Sequence, residues 1–233
     1  MARAIPPDRF GQLVDVATRT FITHGYRLTQ MADVAQALGV AKGTLYGYVE
    51  SKDALFDAAL RYADGHVLLP AVSDLPLRTP PAGATAAFVR ERLAVETVDL
   101  VLARVVAGTL VIDDPRRELE SALSDLYERM ARNRLAIKLV DRCAADYPEL
   151  AEAWFGRGRW AQHELFVRLL DSEMKRCRFR RLAAPDVVAR TILETLAFWA
   201  VHRHFDPSPQ LVTDEEAKGA VVDLVSHGLL EAR

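Results

Sequence analysis

The sequence predicts an all-α protein, with a group of short helices at the N-terminus and a bundle of longer helices after it. Apolar residues recur at helical spacing along most of the chain, glycines and prolines cluster between those stretches, and no segment shows the alternation of a strand. Hydrophobic residues make up 50% and charged residues 27% of the 233 residues, a balance in which burial can offset conformational entropy. We therefore expect a folded chain with a substantial core.

The first helix should begin after Pro7 and end at Gly25. Glycine readily adopts the left-handed conformation that closes a helix. The apolar residues between them recur at intervals of three and four, which places them on one face of a helix. They are Phe10, Leu13, Val14, Ala17 and Phe21. This face should form the core of the N-terminal helices.

Three further helical stretches are predicted over residues 30–38, 42–48 and 51–69. Thr29 is a suitable N-cap for the first, because its hydroxyl can accept a free backbone N–H. Met31, Val34, Ala35 and Leu38 form the apolar face of that helix. Gly39 follows it, and Val40 can fill the corner before the next helix. Two short helices joined in this way predict a helix-turn-helix.

The second of these helices carries side chains suited to nucleic acid. Leu45 and Val49 should face the core, and the outward positions should hold Lys42, Gly43, Thr44, Tyr46 and Tyr48. Lysine, threonine and tyrosine can bind phosphates or base edges, and a glycine permits close approach. Ser51 should cap the third helix, where Lys52 would favour a phosphate. The alternative is a purely structural corner, since short helices joined by Gly-Val occur in many folds.

Residues 21–60 resemble the tetracycline-repressor (TetR) family. The residues that carry the resemblance are Phe21, Gly25, Tyr26, Thr29, Val34, Ala35, Gly39-Val40, Lys42-Gly43-Thr44-Leu45-Tyr46, Ser51-Lys52 and Ala54-Leu55-Phe56. The resemblance covers about the first quarter of the chain. It implies a dimeric DNA-binding repressor, usually with a small-molecule inducer. The DNA-binding residues expected on these grounds are Thr29, Lys42, Gly43, Thr44, Tyr46, Gly47, Tyr48 and Lys52, with Thr44 and Tyr46 nearest the bases.

Three positions depart from the family pattern. Ala32 stands where many members have arginine, Gly47 where many have a large aromatic residue or histidine, and Ala41 where serine or threonine often caps the recognition helix. A lost cap typically costs about 1 kcal/mol. Operator affinity is therefore expected to depend more on phosphate contacts and on three arginines outside the motif. They are Arg3, Arg9 and Arg27.

A proline-rich stretch, residues 70–84, should be a loop between two modules. We expect a DNA-binding domain with its connecting helix over residues 1–69 and a helical ligand-binding and dimerisation domain over residues 85–233. Asp114-Pro115 and Asp186 are good helix starts within the second domain. Its five predicted helices cover residues 85–112, 115–143, 149–176, 185–205 and 213–231.

The second domain is expected to supply a dimer interface and a ligand pocket. Apolar residues of the last two helices could form a four-helix contact between two copies, or could simply be core within one copy. The interface candidates are Ile192, Thr195, Leu196, Trp199, Val221, Val222, Val225 and Leu229. A largely apolar effector would lie among aromatic and aliphatic side chains, although such residues are more often core. The pocket candidates are Phe88, Leu102, Val106, Tyr127, Met130, Trp154, Phe155, Trp160, Gln162, His163 and Phe166.

Other functions find little support in the sequence. The formal net charge of −2 indicates that DNA binding depends on a local patch. No cofactor is expected, since phosphate loops, nucleophile elbows and metal-ligand spacings are lacking, and an enzyme is not predicted. The two cysteines should be free thiols, and with no membrane-spanning stretch the protein is expected in the cytoplasm. The basic run at residues 175–181 is typical of a solvated helix end. The alternative function is a helical protein-interaction module without DNA binding.

Overall fold

The computed structural model describes residues 9–208 and 210–230, apart from the side chains of residues 157 and 159. Its described residues form twelve α-helices, with short 3-10 and π segments between some of them. The helices are α1 (Arg9–Leu28), α2 (Met31–Leu38), α3 (Lys42–Leu45), α4 (Lys52–Tyr62), α5 (Ala84–Val98), α6 (Val101–Val106), α7 (Pro115–Arg132), α8 (Arg134–Cys143), α9 (Pro148–Ala151), α10 (Arg159–Lys175), α11 (Pro185–Ala200) and α12 (Asp214–Leu229). The predicted all-α class is confirmed.

The chain divides into two compact units that differ from the predicted domains. One unit extends to Val89 and also includes Leu135–Trp154; the other comprises Arg90–Arg134 and the residues from Phe155 onward. Thus α8, α9 and the 3-10 turn Ala144–Asp146 belong with the N-terminal helices. The predicted boundary at the proline-rich loop does not account for residues 135–154, which return to the first unit.

The first unit is built on the apolar face of α1, as predicted. Phe10, Leu13, Val14, Ala17 and Phe21 are all buried. Helix α1 packs against α2 and α4. Four aromatic rings from three parts of the unit then close the core in stacked and edge-to-face contacts. They belong to Phe21, Tyr26, Phe56 and Tyr147.

Several long predicted helices are shorter than expected or are divided. The predicted helix 115–143 forms α7 and α8, and the predicted helix 149–176 forms α9, a π segment and α10. Helix α4 ends at Tyr62 instead of Leu69, and Gly65 adopts a positive φ of 70°. A left-handed residue cannot continue an α-helix, so the chain leaves α4 there. Residues 85–112 likewise form two helices, because the chain turns at Leu100 between α5 and α6.

In the second unit, α7 packs against α6, α11 and α12, while α10 packs against α6 and α11. Asp114 caps α7, with its carboxylate accepting the Arg116 N–H at 2.9 Å. Thr213 caps α12 by accepting the Glu216 N–H at 3.1 Å. Helices α7, α10 and α11 each contribute fully buried side chains to this core. In the described part of the chain, no helix is long and apolar enough to cross a membrane.

Candidate nucleic-acid interface

The corner between α2 and α3 has the geometry of a helix-turn-helix. Gly39 lies in the left-handed region, with φ 71° and ψ 36°. Its N–H donates to the Gln36 carbonyl at 3.1 Å, and the Val40 N–H donates to the Ala35 carbonyl at 2.9 Å. These bonds satisfy carbonyls that the end of α2 would otherwise leave free. Gly39 therefore sets the direction in which the following helix leaves.

Thr29 does not have the role predicted for it. The N-cap of α2 is Gln30, whose N–H donates to the Asp33 carboxylate at 2.8 Å. Thr29 is fully buried, and its hydroxyl donates to the Gly25 carbonyl at 2.7 Å. Its hydroxyl satisfies the end of α1 beside the Gly25 kink, where φ is 81°. Thr29 thus supports the corner and is not available to DNA.

The recognition segment, residues 42–47, contains most of the predicted DNA-binding side chains. Helix α3 covers only its first four residues, and hydrogen-bonded turns continue it. All of its residues except Leu45 are exposed. Among the residues that the structure describes, no hydrogen-bond or ion-pair partner is found for the side chains of Lys42, Thr44 and Tyr46. These three groups are free to bind a ligand.

Tyr48 faces the core, contrary to its predicted outward position. Its exposed fraction is 4%, whereas that of Tyr46 is 44%. The Tyr48 N–H donates to the Leu45 carbonyl at 2.9 Å, which continues the helical turn. Residues three and four apart share a helix face, so Tyr48 and Val49 lie on the buried side with Leu45. Tyr48 is a core residue of the first unit.

Lys52 is also engaged within the protein. Its ammonium group donates to the carbonyls of Tyr26 at 3.0 Å and Thr29 at 3.2 Å, and it lies 4.4 Å from the centre of the Tyr26 ring. Carbonyls left over at the end of α1 therefore compete with any phosphate for this cation. Ser51 caps α4 as predicted, its hydroxyl accepting the Ala54 N–H at 3.1 Å.

Tyr26 connects the end of α1 to the start of α4. Its hydroxyl donates to the Asp53 carboxylate. Burial, followed by this hydrogen bond and the charge of Asp53, raises the pKa of Tyr26 above its usual value. All three effects favour the neutral phenol. Tyr26, Lys52 and Asp53 thus hold α1 and α4 in one arrangement behind the recognition segment.

The segment after α8 packs against the end of α1. The Asp146 carboxylate accepts the Arg27 N–H at 3.1 Å, while the Arg27 side chain is 80% exposed. A Cβ built on Gly25 would lie 3.1 Å from the Arg142 guanidinium and 3.2 Å from the Asp146 carboxylate, and the φ of 81° would strain any other residue, so glycine is favoured there. Cys143 is buried and its thiol is free; burial raises its pKa to about 12.

The proline-rich loop, which the sequence presented only as a linker, contacts the residues that directly follow the recognition segment. We call Leu77–Thr79 the strap. Leu77 pairs as a parallel bridge with Val49: its N–H donates to the Tyr48 carbonyl at 2.8 Å, and its carbonyl accepts the Glu50 N–H at 2.9 Å. The Thr79 N–H donates to the Glu50 carboxylate at 2.9 Å. The Thr79 hydroxyl lies 2.8 Å from the Ser51 hydroxyl.

The predicted pocket residues do not form one group. Phe88 and Trp154 belong to the first unit and the other nine to the second. The Arg61 guanidinium lies 4.2 Å from the centre of the Phe88 ring. The Trp154 indole N–H donates to the Asp141 carboxylate at 3.3 Å. Both side chains therefore make their contacts within the first unit. They therefore do not belong to a pocket made by the second unit alone.

In the second unit the remaining candidates separate by exposure. Leu102, Tyr127, His163 and Phe166 are buried, and the Tyr127 hydroxyl donates to the Trp199 carbonyl at 3.2 Å. Val106, Met130 and Gln162 are partly exposed. Phe155 and Trp160 are 46% and 56% exposed, so these two rings are not enclosed within this unit. The buried candidates are on α6, α7 and α10, which pack together.

Half of the predicted dimer residues are core of a single copy. Ile192, Leu196, Val221 and Leu229 are buried within the second unit, where α11 and α12 pack against each other and against α7. A side chain covered in this way has little surface left for a partner. The candidates that retain exposed surface are Thr195, Trp199, Val222 and Val225. Val187 and Leu224, on the same two helices, are 54% and 69% exposed.

A charged cluster at the start of α12 was not predicted. The Asp214 carboxylate accepts a hydrogen bond from Arg134 at 2.5 Å and another from Arg203. Burial alone would raise the pKa of Asp214, but the two guanidinium groups hold it below its usual value. Arg203 also donates to the Trp199 and Val212 carbonyls.

Within the described residues, no group of three or more acidic, histidine or cysteine side chains is arranged to hold a metal ion.

Comparison with known proteins identifies the region around the corner. Residues 13–59 match the family model "Bacterial regulatory proteins, tetR family". Over 50 residues the chain is 38% identical to the HTH-type transcriptional repressor KstR2 of Rhodococcus jostii (strain RHA1), a stretch that is 22% of this chain and 24% of that repressor. The chain thus matches about a quarter of the length of this curated relative.

Two solved structures resemble the fold over nearly the whole chain. The ketosteroid transcriptional regulator KstR2 of Mycobacterium tuberculosis has a TM-score of 0.60 and 18% sequence identity, and the likeness covers 100% of both chains. AibR, in complex with isovaleryl coenzyme A and operator DNA, has a TM-score of 0.53 and 15% identity, covering 93% of this chain and 97% of AibR. At these identities the likeness shows the fold.

Proposed function

We propose that the chain is a transcriptional repressor of the TetR family that binds operator DNA as a homodimer. Residues 13–59 match the model of this family of bacterial regulatory proteins. The observation that carries the proposal is the recognition segment, where Lys42, Thr44 and Tyr46 are exposed without partners in the described structure. Its relatives are regulators and not enzymes, in agreement with the sequence prediction.

The recognition segment contains three different kinds of contact group. Lys42 supplies a cation for phosphate or guanine, Thr44 a hydroxyl and a methyl group, and Tyr46 a rigid hydroxyl. Gly43 and Gly47 add no side chain that would hold the backbone away from the duplex. The overall charge of −2 offers no general attraction for DNA, so binding depends on this local surface. A bacterial operator would place the protein in the cytoplasm.

A homodimer would present two recognition segments to successive major grooves of a palindromic operator, with half-sites about 34–36 Å apart. For the contact between copies we propose the outward residues of α11 and α12. Leu224 and Val187 are the most exposed large apolar residues of these helices. In light scattering, Leu224→Glu and Val187→Glu should shift the protein toward a monomer, whereas Glu194→Gln, a change on the same helix α11, should not.

For the effector we propose a largely apolar small molecule that binds in the second unit, near the buried candidates on α6, α7 and α10. The structurally similar AibR was solved with isovaleryl coenzyme A and operator DNA, so acyl thioesters, whose acyl chain is the apolar part, are a first class to screen. A near-complete switch requires the ligand to favour the released form by about 5 kcal/mol. Loss of the protein–DNA complex on addition of each compound is the measurement.

The test of DNA binding is a salt series on duplexes that the protein selects from a random-sequence pool, against mixed-sequence duplex. We expect preference for a palindrome and an affinity that falls steeply with salt. Lys42→Ala and Tyr46→Ala should weaken binding without changing the fold. If no palindrome is enriched and the two duplexes bind equally at every salt concentration, the chain is a helical interaction module and the proposal is wrong.

A further inference from the structure

The strap brings a distant part of the chain beside the recognition segment. Both backbone groups of Leu77 pair with Tyr48 and Glu50, and the backbone N–H of Thr79 is held by the Glu50 carboxylate. Arg78 lies between these two anchored residues. Its backbone is therefore held beside Tyr48 and Glu50, which directly follow the recognition segment, although it is about thirty positions away in sequence.

The side chain of Arg78 is directed away from the strap's own contacts. Along an extended segment, successive side chains point to opposite faces. Leu77 is half-buried. Arg78 and Thr79 are both exposed, but the Thr79 hydroxyl meets Ser51. No hydrogen bond or ion pair of its guanidinium occurs within the part of the chain that the structure describes. Arg78 is a free cation at a fixed position.

The recognition segment has little positive charge near its C-terminal end, so a free cation there would strengthen the binding of a phosphate. Lys42 is the only cationic side chain within residues 42–47, and Lys52 is bound to two carbonyls of the protein. The exposed carboxylate of Glu50, which would repel a phosphate, is bonded to the strap. An exposed guanidinium on the strap adds positive charge to this end of the recognition segment and can bind a phosphate through two parallel N–H groups.

We propose that Arg78 binds a phosphate of the DNA backbone next to the C-terminal end of the recognition segment, which makes the strap part of the DNA interface. This inference rests on the proposed DNA-binding function. Since a phosphate carries no sequence information, Arg78 sets affinity and register and not base preference.

The experiment compares the full-length wild-type protein with Arg78→Gln, Arg78→Lys, Lys42→Gln and Arg104→Gln. Arg104 is an exposed arginine in the second unit, so its change alters the net charge equally. Binding to a duplex selected by the wild-type protein, and to mixed-sequence duplex, is measured across a salt series. The slope of log affinity against log salt is negative, and each lost phosphate contact should reduce its magnitude by about 0.9.

We expect Arg78→Gln to lose about one unit of slope on both duplexes, Arg78→Lys to restore most of it, and Arg104→Gln to match the wild type. A slope for Arg78→Gln equal to that of the wild type and of Arg104→Gln, while Lys42→Gln is weakened, overturns the role of Arg78 and leaves the proposed function standing. Failure of the wild-type protein to bind any duplex in a salt-dependent way overturns both.

Discussion

Residues 42–47 and residues 48–52 adjoin in sequence and contain the same kinds of side chain, yet they have opposite roles. The first stretch exposes Lys42 and Tyr46 without partners among the described residues. The second buries Tyr48 and binds Lys52 to two backbone carbonyls. A lysine or tyrosine near a helix-turn-helix is therefore not by itself a DNA contact. What decides its role is whether the protein's own backbone already uses it.

Replacing each of the two tyrosines by alanine is the strongest test of this contrast. Tyr48→Ala removes a buried ring and should cost about 3 kcal/mol or more of unfolding free energy. Tyr46→Ala should stay within about 0.5 kcal/mol of the wild type, because the ring is at the surface, yet it should weaken DNA binding. Urea unfolding and fluorescence anisotropy measure the two effects. Equal stability losses would mean that both rings are core.

The two lysines should separate in the same way by a smaller margin. Lys52→Met leaves the Tyr26 and Thr29 carbonyls without their charged donor and should cost about 2 kcal/mol. Lys42→Met should leave stability unchanged and reduce the salt dependence of DNA binding. The contrast disappears if Lys52→Met proves as stable as the wild type and loses only DNA affinity.

The Tyr26–Asp53 contact should appear in the pH dependence of stability. Tyr26→Phe should cost about 1 kcal/mol at neutral pH through the lost hydrogen bond. Because the folded pKa of Tyr26 is raised, the wild type should lose stability as pH rises above about 10, where the unfolded tyrosine releases its proton and the folded one keeps it.

The gap between wild type and Tyr26→Phe should therefore narrow in alkaline solution, as followed by urea unfolding at a series of pH values. Tyr46→Phe controls for loss of an exposed hydroxyl. A gap that stays constant with pH would show that Tyr26 is not held in its neutral form by the fold.

The smallest effect concerns the junction of the strap and α4. Ser51→Ala removes the cap of α4 and should cost about 1 kcal/mol. Thr79→Val removes only the contact between the two hydroxyls and should cost about 0.5 kcal/mol. Thermal unfolding of both variants is sufficient to rank them. A larger loss for Thr79→Val would make the strap, and not the cap, the main support at this junction.

Features set by local spacing could be predicted from the sequence. The buried face of α1, the left-handed Gly39 and the Ser51 cap each depend on residues within one or two helical turns. Tyr48 could also have been placed correctly, because it lies three residues after the core residue Leu45. The end of α4 is marked in the sequence by Gly65, which lies within the predicted helix 51–69.

Other features depend on contacts between distant residues and were not predictable in this way. Nothing local to Lys52 shows that the carbonyls of Tyr26 and Thr29 lie within its reach. The return of residues 135–154 to the first unit and the bridge between Val49 and Leu77 are likewise products of tertiary packing. The aromatic pocket candidates carried no information about position, and they are divided between the two units.

The two cysteines described earlier offer a practical route into the proposed switch. Cys143 is buried, and the pKa of its thiol is raised to about 12. Cys177 is exposed, and its φ is 57°. Thiolate, and not thiol, reacts with maleimides. A fluorescent dye or spin label should therefore attach at Cys177 alone in the unmodified protein. In a homodimer the two labels would report one intersubunit distance, so operator and effector could each be tested for their effect on it without any engineered cysteine.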